Sequence, residues 1–139
     1  MKGIFADTAG WAHLLDSSQA HHAQAAAIFD QLRRTEHRFV TTNYVLTELV
    51  ALFNSPLRLP RAQVVQLIDG IKTSRFVEVV HVDVATDEAA WQLLCSRLDK
   101  SWSLVDCSSF VLMRRRGLTE ALTTDHHFTQ AGFNVLLQL

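Results

Sequence analysis

Cysteine is scarce in this chain: of its 139 residues only Cys95 and Cys107 are cysteines, both in helical-looking segments and not in CxxC spacing. A disulfide framework and a structural zinc site are therefore not expected, and a reducing cytoplasm fits. No apolar run approaches the roughly 18 residues that would cross a bilayer. Before Asp7 there are only Met1 to Ala6, too little for the apolar stretch of a signal peptide. Glycine-rich phosphate loops are missing, as are repeats, linkers and low-complexity stretches. Net charge is nearly absent too, at −1, so no global pull toward nucleic acid is expected.

What is present describes one ordinary globular domain over residues 1–139, with 48% hydrophobic and 19% charged residues. Arginine far outnumbers lysine, with runs at Arg33-Arg34 and Arg114-Arg115-Arg116. Arg is the better phosphate fork, although a solvated helix end is the plainer reading of such runs.

Periodicity and punctuation predict strands at residues 3–6, 38–41, 76–82, 121–124 and 133–137. Helices are predicted at residues 8–15 and 20–34, and from a Thr42 or Asn43 cap to Asn54. Pro60 suits the first position of a helix running to about Ser74. Thr86 opens another through Trp91, Leu94 and Leu98, and Ser103 opens one that ends at Gly117, a glycine suited to a C-cap. Strands alternating with helices imply a three-layer α/β fold with a mostly parallel central sheet.

Four carboxylates stand where an unpaired acid is hard to justify: Asp7, Glu48, Asp106 and Asp125. Glu48 carries the most weight. The run from Tyr44 to Phe53 is apolar on almost every face, the pattern of a buried helix, and no cation lies one turn away. A buried carboxylate is relieved by neutralisation, an ion pair or a metal. Asp7 and Asp125 each follow a strand directly, so both should emerge at the carboxyl edge of the sheet, where α/β ligands bind. Asp106 opens a helix and can point at the same crevice. Converging there, the four would repel one another unless a hard cation such as Mg²⁺ or Mn²⁺ sat among them. Such ions polarise a phosphoryl oxygen and activate water for in-line displacement, which is metal-dependent phosphodiester hydrolysis. Capping is the ordinary reading of Asp7, Asp106 and Asp125 taken singly, and Ser103 with Asp106 has capping-box spacing. Capping does not explain Glu48.

Read in order, Phe5-Ala6-Asp7-Thr8, the segment from Asn43 to Leu49, Asp106 to Met113, and Thr123-Thr124-Asp125-His126-His127-Phe128 with Ala131-Gly132-Phe133 resemble the PIN-domain ribonucleases. Within these the likeness is greatest to toxins of toxin–antitoxin pairs, the VapC type. It covers essentially the whole chain, and the two C-terminal motifs are highly specific. The resemblance implies that Asp7, Glu48, Asp106 and Asp125 form an acidic Mg²⁺ site, with Mn²⁺ able to substitute and Thr8 and Thr124 as supporting hydroxyls. It also implies an RNA substrate (tRNA, rRNA or mRNA), a homodimer, a cognate antitoxin and a cytoplasmic protein with no membrane partner. Val105 departs from the pattern, since many relatives carry Thr there, and so does His126, where a basic or polar side chain is usual. The resemblance makes His127 a structural residue behind the acids rather than a ligand.

Other readings fit less well. A response-regulator receiver needs a lysine near a strand end, and Lys2, Lys72 and Lys100 are poorly placed; an aspartyl phosphatase needs an acid where Ala9 stands. A non-catalytic PIN scaffold that binds RNA or protein would be marked by loss of an acid, and none is lost. His21 and His22 are expected to face water, and Trp11, Trp91 and Trp102 to be core or interface. Phe53, Leu57 and Leu59, with Trp11 and Leu15, are the expected landing surface for an antitoxin helix, with Phe53 itself expected in the core.

Overall fold

The short β-branched and aromatic runs pair into a five-stranded parallel sheet in a computed structural model that describes residues 3–138. Met1, Lys2 and Leu139 lie outside the described residues. In chain order the strands are β1 (Ile4–Ala6), β2 (Phe39–Thr42), β3 (Val77–Val80), β4 (Glu120–Leu122) and β5 (Asn134–Val135). The helices are α1 (Thr8–Leu15), α2 (His22–Arg34), α3 (Asn43–Asn54), α4 (Arg61–Thr73), α5 (Val84–Ser96), α6 (Leu104–Arg116) and α7 (His126–Gln130).

The strand order is β3-β2-β1-β4-β5. The chain winds outward from β1 through β2 to β3, then crosses back to β4 and β5 on the other side. Right-handed crossovers put α1 to α4 on one face of the sheet and α5 with α6 on the other, giving three layers. Winding reverses between β1 and β4, so the crevice outside their carboxyl ends is the topological switch point. Phe5, Phe39, Val45, Leu49, Phe53, Phe110 and Phe128 are fully enclosed between the layers. Among the described residues no helix is long and apolar enough to cross a membrane.

Several elements differ from expectation for local reasons. Helix α5 begins at Val84, because Asp83 caps it by accepting from the Thr86 N–H at 2.8 Å, and it stops at Ser96. Helix α2 starts at His22, after a turn in which Asp16 accepts from Ser18 and Gln19. Pro60 is the N-cap of α4, not its first helical residue. Helix α7 has five residues, too few to show a periodic pattern, and the last strand keeps only two. Helix α3 is not apolar on every face: Val45, Leu46, Leu49 and Phe53 are buried while Thr47, Ala51 and Asn54 are exposed. Trp11 and Trp102 are buried, whereas Trp91 is 52% exposed.

Candidate active site

Asp7 is placed by the end of β1, and α1 leaves from it toward the sheet's face. Helix α1 packs unusually close: a Cβ on Gly10 would sit 1.9 Å from the carbonyl oxygen of Leu122, so only glycine fits there. The Asp7 N–H donates to that same Leu122 carbonyl at 3.2 Å. Parallel register pairs Phe5 with Ala121 and Ala6 with Leu122, and so sets Asp7 beside Thr123. The Thr123 hydroxyl donates to Asp7 Oδ2 at 3.0 Å. Although Asp7 occupies the N-cap position of α1, its side chain makes no capping bond. Its other oxygen, Oδ1, is buried and has no hydrogen-bond partner.

The remaining acids gather around it. Glu48 projects from α3 and accepts the Thr8 hydroxyl at 2.5 Å. Asp106 is buried at the first turn of α6, in a reciprocal capping box with Ser103. Its Oδ2 also meets His127 Nδ1 at 2.9 Å, while His127 Nε2 lies 3.2 Å from the Ser101 hydroxyl. Asp125 caps α7 by accepting from the His127 N–H at 2.9 Å, and its own N–H donates to the Thr123 hydroxyl at 3.0 Å. A chain of contacts therefore runs from Glu48 through Thr8 to Asp7, through Thr123 to Asp125, and through His127 to Asp106.

Burial is distributed differently from the sequence expectation. Glu48, expected to be the buried acid, is only half-buried at the rim, because it lies where the covered face of α3 meets the open one. Asp7 is enclosed instead, and desolvation, reinforced by the charges of Asp106 and Glu48, pushes its carboxyl up to about 7. Asp106 is also raised, first by burial and further by Asp125, against the lowering effect of Ser103 and His127.

Of the two expected threonine hydroxyls, Thr8 does reach an acid. The second is Thr123 rather than Thr124, since Thr123 continues β4 alongside Asp7. Only strand register distinguishes the two. Val105 supplies no side-chain hydrogen bond; its carbonyl accepts from the hydroxyls of Ser108 and Ser109 at 2.7 and 3.0 Å. His126 is exposed beside Asp125, at 3.9 Å. Asp125, His126 and His127 lie close enough to suggest a small metal cluster. Both nitrogens of His127 already have partners, however, and its Nδ1 faces Asp106.

The residues fit a hard divalent cation. Oxygen ligands are what Mg²⁺ and Mn²⁺ take. A desolvated carboxylate oxygen without a donor, among other acids, is an unmet demand for positive charge. Among the described residues no Lys or Arg forms an ion pair with any of the four acids.

A parallel α/β sheet whose switch-point crevice holds clustered carboxylates defines the class of acid-cleft α/β proteins. The comparisons then place the chain more closely. The PIN domain family matches residues 4–134. Two curated relatives, the 23S rRNA-specific endonuclease VapC20 of Mycobacterium tuberculosis strains CDC 1551 / Oshkosh and ATCC 25618 / H37Rv, are each 34% identical over 130 residues, 94% of this chain and 95% of theirs. The crystal structure of M. tuberculosis VapC20, described as a Sarcin-Ricin loop cleaving toxin, aligns with a TM-score of 0.80 at 31% identity, covering 94% of this chain and 96% of that one. This chain belongs to the PIN-domain family, within its VapC type.

Proposed function

We propose that this protein is a divalent-metal-dependent ribonuclease acting as the toxin of a toxin–antitoxin pair in the cytoplasm. The observation that carries this reading is Asp7 Oδ1: buried, without a donor, and on a carboxyl raised first by burial and further by its acidic neighbours. Asp7, Glu48, Asp106 and Asp125 would hold the ion, Mg²⁺ with Mn²⁺ as substitute. When bound, it supplies Lewis acidity and a lowered pKa for attacking water at the phosphodiester. The protein's own part is orientation: Thr123, Thr8 and the Ser103–His127 pair each tie down one oxygen of an acid and leave the other available.

RNA is the proposed substrate because the relatives that span the whole domain act on 23S rRNA. The test is to incubate purified chain with ribosomal, transfer and messenger RNA in Mg²⁺ or Mn²⁺ and sequence the ends. Discrete new ends made by wild type and not by Asp7→Asn or Asp106→Asn support the reading. RNA left uncut, together with harmless expression of the chain, overturns it.

For the antitoxin, the structure offers an apolar groove of about 730 Å³ between α1, α2 and α4, bordered by Trp11, Leu14, Leu15, Phe29 and Leu67. It replaces part of the expected landing surface. Phe53 is core, as anticipated, and Leu57 and Leu59 are half-buried away from the groove. The groove lies along the helix that Asp7 opens, so an amphipathic helix seated there would bring its tail to the acids, where an arginine would compete with the metal. A homodimer belongs to the same reading. The exposure of Val84, Trp91 and Leu98, at 76%, 52% and 88%, supports α5 and its C-terminal extension as the surface that would pair. A Trp91→Glu variant that remains dimeric by sedimentation would exclude that surface.

A further inference from the structure

Opposite the acids, the amino edge of the sheet carries arginines that the cleft does not use. Arg75 leads into β3 and Arg38 into β2, where its carbonyl accepts from the Ile4 N–H at 3.2 Å. Arg116, at the end of α6, forms a two-pronged pair with Glu78 at 2.8 Å. Arg114 donates to the Ala131 carbonyl at 3.2 Å and lies over the Phe133 ring just before β5. With neighbouring strands about 4.8 Å apart, these groups spread over roughly 20 Å of edge.

Three of them are held in no ion pair. Arg38, Arg75 and Arg114 are exposed, and among the described residues none is ion-paired with a carboxylate. Arg75 and Arg114 stand 4.8 and 5.8 Å over Phe76 and Phe133. Stacking holds a guanidinium plane in place; Arg75 keeps its N–H fork for phosphate oxygens, and Arg114 keeps the donors that the Ala131 carbonyl does not take. Between Arg38 and Arg116 lies a hollow of about 330 Å³, also bordered by His37, Glu36 and Glu78. Glu78 is committed to Arg116, which holds it below the usual carboxylate range with help from Arg38. Glu36 and the half-buried Glu120 are the other acids on this edge.

We infer that this edge is a second RNA contact, gripping phosphates of a folded RNA while the acidic cleft engages another part of the same molecule. The choice of RNA over DNA rests on the ribonuclease reading. The acids repel a phosphate backbone, so affinity must come from positive charge elsewhere on the surface. A protein partner is less well suited, because interface cores need large apolar or aromatic anchors. The large exposed apolar side chains, Val65, Val84, Trp91 and Leu98, belong to other segments. A domain of this length is roughly 35 Å across, a span that a large folded RNA can embrace.

The test measures binding without cleavage. Wild type and Arg38→Gln/Arg75→Gln/Arg114→Gln are titrated in EDTA with 23S rRNA and with a short single strand that fills the cleft alone, between about 50 and 200 mM salt. Expected for the triple variant is on the order of tenfold weaker binding to the rRNA, with the log–log salt slope reduced by roughly two. Its affinity for the short strand should not change. The Lys counterpart at all three positions should recover the slope but not the full affinity, since it keeps the charge and loses the fork. An unchanged slope, an equal loss on both ligands, or displacement of the rRNA by polyglutamate at matched charge would overturn the inference. Because no cleavage is read, an inactive protein that still shows the split refutes the ribonuclease reading alone.

Discussion

Asp7 is the residue on which the site's electrostatics turn, and its two oxygens have different fates. Oδ2 is satisfied by Thr123 and Oδ1 is not. Its carboxyl ordinarily titrates near 3.8, and the fold raises it to about 7. The folded protein thus holds a proton that the unfolded chain releases, so this group's contribution to stability is complete below about pH 4 and is lost as pH rises through about 7. Metal-free wild type should melt higher at pH 5.5 than at pH 8, with Asp106 acting in the same direction. Asp7→Asn should remove much of that difference and, at pH 8, stabilise the metal-free fold by a few kcal/mol as an order of magnitude. Thermal melts in EDTA at the two pH values check this; identical pH dependence in variant and wild type would contradict it.

Thr123 is the second decisive residue. Its hydroxyl donates to Asp7 and accepts from the Asp125 N–H, so one side chain fixes the spacing of two acids. Thr123→Val preserves shape and removes both bonds, and should lower RNA cleavage by about 10- to 100-fold, the effect typical of losing a group that orients metal ligands. Thr123→Ser should restore most of the rate. If valine and serine behave alike, the hydroxyl is not what positions the acids.

At the scale of elements, the site depends on how closely α1 lies on β4. Gly10 permits that approach, and a methyl group there would overlap a backbone carbonyl that cannot swing away. Gly10→Ala should therefore destabilise the fold by several kcal/mol, although alanine ordinarily favours a helix by about 1 kcal/mol. Denaturant unfolding measures the sign directly. Helices α6 and α7 deliver their acids through caps: Asp106 answers Ser103, and Asp125 answers the His127 N–H. For these two acids, capping and membership of the cluster coexist in one side chain. Asp7 and Glu48 take no part in caps, and they are the pair that shares Thr8 as a neighbour.

At the scale of the whole molecule, the four clustered acids lie at one edge of the sheet and the row of four arginines at the other. Cation binding at the acidic edge should stabilise the folded state by mass action, by about 2.7 kcal/mol at a hundredfold excess over Kd. Millimolar Mn²⁺ or Mg²⁺ should accordingly raise the melting temperature of wild type, and do so far less in Asp7→Asn/Asp106→Asn. Equal shifts in both proteins would place the ion elsewhere.

The sequence by itself determined the alternation of strands and helices, the parallel three-layer architecture and the PIN resemblance, because apolar periodicity, caps and contiguous motifs are local properties of the chain. It also put Asp7 directly after β1; Asp125, expected directly after a strand, instead caps α7 three residues beyond the end of β4. Only the tertiary structure decided which acid bears the burial: Asp7 rather than Glu48, because α3 turns one face to solvent. It decided that Thr123 and not Thr124 reaches Asp7, since one residue of register separates them and no local pattern encodes that choice. It created α7, too short for a periodic signal, from a cap made by Asp125. The arginine edge likewise became visible only in three dimensions. Arg38, Arg75 and Arg114 are far apart in sequence, and adjacency across a sheet is settled by strand order, which arises from packing the whole chain.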